Sequence, residues 1–78
     1  MSAEFRLHVA TDPDRDDVVV ELLYGEDVVA SVREAEGDGL RVRLYASPAR
    51  AWDFELSELE AWLRRARERW EALGPKRE

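Results

Sequence analysis

From Phe5 onward, apolar and polar side chains alternate along the chain. Phe5, Leu7 and Val9 are interleaved with Arg6, His8 and Ala10, the two-residue period of a strand with one buried face. A first strand is predicted over residues 4–10. Thr11-Asp12-Pro13-Asp14-Arg15-Asp16-Asp17 interrupts the pattern, because proline fixes a turn torsion and aspartates bond their own backbone in competition with a sheet ladder. That stretch reads as a loop. Residues 18–24 and 28–34 are rich in β-branched residues, and Gly25-Glu26-Asp27 between them suggests a hairpin with a three-residue loop. Leu40-Arg41-Val42-Arg43-Leu44-Tyr45 alternates again after Gly37-Asp38-Gly39, whose last glycine can take the left-handed torsion that closes a second three-residue loop. Four strands in a meander result.

Ser47-Pro48-Ala49-Arg50 breaks the ladder, and Trp52, Phe54 and Leu56 then alternate with Asp53 and Glu55. This run is short enough for a fifth strand but reads better as a connector, residues 47–56, whose aromatics plug the core. Ser57 and Glu60 have the spacing of a capping box, in which each side chain satisfies a backbone amide at the other position. A helix is predicted over 57–73. Leu59, Trp62, Leu63, Ala66, Trp70 and Leu73 fall within an arc of roughly 100°, the stripe of a helix lying on a core. The outer side offers Glu60 to Arg64, Arg64 to Glu68 and Arg67 to Glu71 at four-residue spacing. Gly74 and Pro75 end the helix, leaving a short tail over 74–78.

Three-residue loops pair Tyr24 with Val28 and Glu36 with Leu40, and this register sorts the strands into two faces. Phe5, Leu7, Val20, Leu22, Val42 and Leu44 belong to the face under the helix, and a one-residue slip would mix the two. The opposite face carries Arg6, His8, Val19, Glu21, Leu23, Val29, Ser31, Arg33, Arg41, Arg43 and Tyr45. Arg33 is expected opposite Arg43, an unfavourable like-charge pair. The expected fold is α+β: a four-stranded antiparallel meander sheet with one C-terminal amphipathic helix packed on one face (ββββα), in a single domain over residues 1–78.

Composition narrows the possibilities. With 78 residues, 45% hydrophobic and 38% charged, the chain is too apolar for a disordered polyelectrolyte and too charged for a membrane protein. The absence of cysteine removes disulfides and thiolate zinc sites as braces. Met1-Ser2-Ala3-Glu4 has no basic stretch followed by an apolar run, so a cytoplasmic location is expected. The net charge of −6 is uneven, with 13 acids against 6 arginines in residues 1–56 and four of each in 57–73. Such a balance disfavours nucleic acid and anionic membranes as partners and suits cationic ones.

Candidate chemistry is sparse. Asp12, Asp14, Asp16 and Asp17 are spaced like calcium ligands, but the EF-hand pattern wants glycine where Asp17 stands and glutamate where Leu23 stands; a solvated turn is the better reading. His8 is the single histidine and has no cysteine or serine motif to complete a metal or nucleophile site. Asp53 and Glu55 could form an acid/base pair, yet in so charged a chain such pairs arise by chance. Arg41, Arg43 and Tyr45 could imitate a nucleic-acid platform, against the overall charge. The three tryptophans read as packing. No catalytic residue, metal, cofactor or small-molecule substrate is expected.

What remains is a surface. Arg6, Val19, Leu23, Val29, Arg33, Arg41, Arg43 and Tyr45 combine an apolar centre with a charged rim on the sheet face turned from the helix, which is how docking surfaces often look. The expectation is a non-enzymatic protein–protein interaction module, homodimeric through that face or through an edge strand. The alternative is an acidic inhibitor of the immunity-protein or antitoxin type that masks a basic site on another protein. The segment Pro48-Ala49-Arg50-Ala51-Trp52-Asp53-Phe54-Glu55-Leu56-Ser57-Glu58-Leu59, with the charged helix after it, resembles small bacterial proteins in which strands, a tryptophan-containing connector and one helix follow in that order. The resemblance implies a stand-alone bacterial protein and brings no activity or binding residue with it.

Overall fold

Asp17–Tyr24 (β2) pairs antiparallel with Phe5–Asp12 (β1) on one side and Asp27–Glu34 (β3) on the other. Leu40–Leu44 (β4) pairs with β3, giving a four-stranded meander in the order β1-β2-β3-β4. A helix, Leu56–Leu73 (α1), follows. The computed structural model describes residues 4–12, 17–34 and 39–73. The α+β architecture is therefore the one the alternation and the helical stripe dictate.

The registers refine the expectation. Thr11 and Asp12 remain in the ladder, opposite Val18 and Asp17, so strand pairing reaches into the aspartate-rich stretch read as a loop. The rest of that loop, with Asp14 and Asp16, lies outside the described residues. Between β2 and β3 the turn is two residues long, Tyr24 facing Asp27 around Gly25, whose φ of 66° suits the first central position of a hairpin turn that favours glycine. The register then shifts between Leu22 and Leu23, leaving Val29 as the extra residue of a bulge. Beyond the bulge Leu22 faces Ala30 and Val20 faces Val32, the register that a three-residue loop implies.

Between β3 and β4 the shift is two residues. Glu34, not Glu36, faces Leu40, so Arg33 stands opposite Arg41 and Arg43 opposite Ser31. An even shift leaves every side chain on its predicted face. Gly39, at φ 96°, enters β4 with the left-handed torsion foreseen for it; the glycine and aspartate before it, positions 37 and 38, lie outside the described residues.

The core has two parts. Phe5, Leu22, Val29 and Ala30 form one, packed by Trp52, Phe54, Leu59, Trp62 and Leu63 among others. Val20, Val32 and Ala66 form the second, with Leu7, Val9, Leu40, Trp70 and Leu73 around them. Phe5 lies at the centre of an aromatic cluster, its ring centroid 5.0 Å from Tyr24, 4.8 Å from Phe54 and 5.7 Å from Trp62. The connector stacks Trp52 on Phe54 at 5.4 Å and ties itself to the end of the sheet by a hydrogen bond from Trp52 Nε1 to the Tyr45 carbonyl, 3.0 Å. Leu56 is 68% exposed and takes no part in this plug.

The start of α1 differs from the capping box. Glu55 is the cap: its Oε1 accepts from the Glu58 amide at 2.9 Å, its Oε2 accepts from the Ser57 hydroxyl at 2.7 Å, and its carbonyl accepts from the Leu59 amide at 3.0 Å. Ser57 therefore serves the carboxylate in place of the Glu60 backbone, and the helix begins one residue earlier. The Ser57 hydroxyl, followed by the Glu58 amide, holds the Glu55 carboxyl below the ordinary glutamate range. A depressed folded-state pKa contributes stability that is present above the unfolded value and is lost as pH falls through the folded one. Acidification below about pH 4.3 is accordingly expected to fray the first turn, read as a loss of protection at the Glu58 amide relative to its intrinsic exchange rate, and Glu55→Gln to abolish that pH dependence. Equal exchange in both proteins across the acid range would refute the cap assignment.

Of the three predicted pairs along the outer helix surface, Arg67 to Glu71 closes, at 3.2 Å; no ion pair joins the other two among the described residues. Arg65 instead lies over the Trp62 ring, 4.5 Å from its centroid.

Candidate docking surface along β4

The helix does not cover the whole sheet. It lies chiefly over β2 and β3, and of β4 it is Leu40 that reaches the core around Val20, Val32 and Ala66. Val42 and Leu44, predicted to lie under the helix, are 50% and 72% exposed. The reason is width: neighbouring strands lie about 4.8 Å apart and a helix with its side chains is about 10 Å across, so one helix covers two or three strands and not four. The uncovered strip forms an open groove of about 510 Å³ between β4 and α1, lined by Val32, Leu40, Val42, Leu63, Arg67 and Glu71.

The backbone of β4 has a free side as well. Tyr45 donates its amide to the Val29 carbonyl at 2.9 Å, which makes Tyr45 and Val29 a hydrogen-bonded pair. Pairs alternate along an antiparallel ladder, so Arg43 and Arg41 also turn their N–H and C=O groups toward β3. Leu40, Val42 and Leu44 turn theirs outward, where no strand lies among the described residues. Of these, Leu40 and Val42 line the groove, and Leu44 lies on the same face of β4 outside its lining.

The opposite face departs from its predicted character. Val19 and Leu23 are 7% and 8% exposed, because β2 is an inner strand with neighbours on both sides, Arg6 directly opposite Leu23 and Ala10 opposite Val19. Val29, 4% exposed, is the bulged residue and belongs to the core cluster with Phe5, Leu22 and Ala30. These three side chains do not form the exposed apolar centre expected of them. Of the apolar candidates only Tyr45 remains at the surface.

The polar candidates divide into two groups. Arg6 lies on β1, at the far side of the sheet from β4. Arg33, Arg41 and Arg43 lie together on β3 and β4, with Arg33 and Arg41 directly opposite one another. Arg41 and Arg43 are exposed, and their side chains make no ion pair or hydrogen bond among the described residues. Arg33, Arg43, Ser31 and Tyr45 border an open depression of about 240 Å³, where the Ser31 and Tyr45 hydroxyls lie 3.3 Å apart. The one carboxylate that borders it among the described residues, Glu21, is engaged by His8 Nδ1 at 3.2 Å.

Among the described residues no group of three or more His, Cys, Asp or Glu side chains is arranged to hold a metal ion, and no helix is long and apolar enough to cross a membrane. Comparison with protein-family models, with curated proteins and with solved structures finds no match to this chain.

Proposed function

We propose that the chain is a non-enzymatic protein–protein interaction module that docks a partner along the free edge of β4. The observation that carries this reading is the coincidence, at Val42 and Leu44, of exposed apolar side chains with outward-facing backbone groups. An edge strand with unpaired groups is a template for another strand. Proteins that do not use such an edge commonly cover it or interrupt it with proline or an inward-pointing charge. Here the groove beside the edge is apolar at its floor, so an added strand would gain both ladder hydrogen bonds and side-chain burial, the two sources of affinity and selectivity in strand addition.

The centre of the open sheet face supports docking less well, since Val19, Leu23 and Val29 have little surface left to bury. An inhibitor that masks a basic site is also less well supported at this edge, because the charged residues of β4 itself are arginines. The test is selection of binders from a random-peptide display library on the intact protein, followed by measurement of each binder against Leu44→Glu. Recovered peptides are expected to bind the wild type and to lose about tenfold or more in affinity to the variant, as a charge placed in an apolar contact costs at least about 1.4 kcal/mol. Peptides that bind both proteins equally, or failure to recover any, would remove β4 as the docking edge. Leu44 is exposed, so the variant is expected to unfold at the wild-type midpoint.

A further inference from the structure

Resting on the reading of β4 as a docking edge, we infer that the segment it accepts is an extended strand with carboxylates at alternate positions and apolar side chains between them. Outward N–H and C=O groups at Leu40, Val42 and Leu44 require a partner backbone with the same two-residue spacing, which a strand supplies and a helix does not. On a strand laid along this edge, side chains directly opposite Val42 and Leu44 fall on the helix side, the one opposite Val42 over the groove. Those opposite Arg41 and Arg43 fall on the other face, beside two exposed guanidinium groups that have no ion-pair partner among the described residues. Cross-strand neighbours of like charge are unfavourable and those of opposite charge favourable, and guanidinium forks match carboxylates in geometry as well as sign. The occupant's two faces are thereby assigned separately: acidic toward the arginines, apolar toward Val42, Leu44 and Leu63.

The same argument disfavours a second copy. The outward groups at Leu40, Val42 and Leu44 allow compact self-pairings centred within the strand with Val42, Arg43 or Arg41 on the symmetry axis. The first places Arg41 against Arg43 of the copy, and the others place Arg43 or Arg41 against itself. Each brings arginine against arginine across the new ladder.

Titration of the intact protein with two blocked octapeptides tests the inference, one alternating valine with glutamate and the other valine with lysine. The glutamate peptide is expected to bind about tenfold or more tightly than the lysine peptide, the preference of one to two favourable charge pairs over unfavourable ones. It is also expected to slow amide exchange at Leu40, Val42 and Leu44. The double variant Arg41→Glu, Arg43→Glu should invert the preference, and Arg41→Gln, Arg43→Gln should flatten it, both with an unchanged unfolding midpoint. Equal binding of the two peptides with slowed exchange at β4 overturns the acidic assignment and leaves the docking edge intact. Binding without slowed exchange at β4 overturns both, and no binding by either peptide overturns the acidic assignment. Sedimentation without peptide at two protein concentrations is expected to show a monomer; a dimer that Leu44→Glu abolishes would give the edge to a second copy.

Discussion

Phe5→Ala is expected to destabilise the protein by about 3–5 kcal/mol, the cost of truncating a buried aromatic and leaving a cavity. Phe5 is 6% exposed and holds together parts of the chain that are far apart in sequence: Tyr24 from β2, Phe54 from the connector and Trp62 from α1. Beyond the buried area, each aromatic contact is worth about 0.5–1.5 kcal/mol, so the loss should sit at the upper end of that range. A domain of this size has of order 4–12 kcal/mol of stability in all, and the midpoint of thermal unfolding should fall by roughly 15–30 °C. Phe5→Leu, which keeps most of the volume, should cost well under half as much. Urea unfolding followed by circular dichroism checks both; a loss below about 1 kcal/mol for Phe5→Ala would mean that the cluster contributes little.

The second large effect is at Ala66. It is fully buried where α1 crosses Val20 and Val32, and its lack of a longer side chain lets the helix approach the sheet that closely. Ala66→Leu should cost about 1–3 kcal/mol by overpacking. Ala66→Glu should cost more than about 3 kcal/mol, because a carboxylate there has neither water nor a partner. Ala72, on the same helix but exposed, provides the comparison: Ala72→Glu should change stability by no more than about 0.5 kcal/mol. If the two glutamate variants unfold together, the helix does not pack on the sheet through Ala66.

The architecture was legible because its two periodicities are clean. Phe5, Leu7 and Val9 cannot share one side of a helix, and Leu59, Trp62, Leu63, Ala66, Trp70 and Leu73 cannot share one face of a strand. The details that escaped are those on which the pattern is degenerate. In Val28-Val29-Ala30 every residue is apolar, so nothing in the string marks which one is extra, and the bulge at Val29 is invisible. A loop of three or of five residues before β4 preserves the same alternation, so the string does not choose between Arg43 and Arg41 as the neighbour of Arg33. Glu55 escaped as a cap because Ser57 and Glu60 offered a more familiar spacing.

The docking surface illustrates the same limit. Val18-Val19-Val20 and Leu22-Leu23 place apolar residues on both faces of β2, the mark of an inner strand buried from two sides. The alternation assigns Val19 and Leu23 of that strand to the open surface, and Val42 and Leu44, which alternate as cleanly as any core pair, to the interior. Strand patterning reports which side chains share a face. It does not report how far a single helix extends across that face, and at β4 the extent decides the outcome. Of the eight residues that the sequence places on a docking surface, Arg33, Arg41, Arg43 and Tyr45 lie together at the β4 side of the sheet; the apolar members of the surface are different ones.

The order of the elements bears on how the chain comes into being. Four strands precede α1, and Phe5, Val20, Leu22 and Val32 find their cover in the connector and helix that follow. During synthesis at about 5–20 residues per second, the oily side of the sheet is complete before its cover has left the ribosome. For those few seconds the apolar residues of the strands have been made and the side chains that will cover them have not.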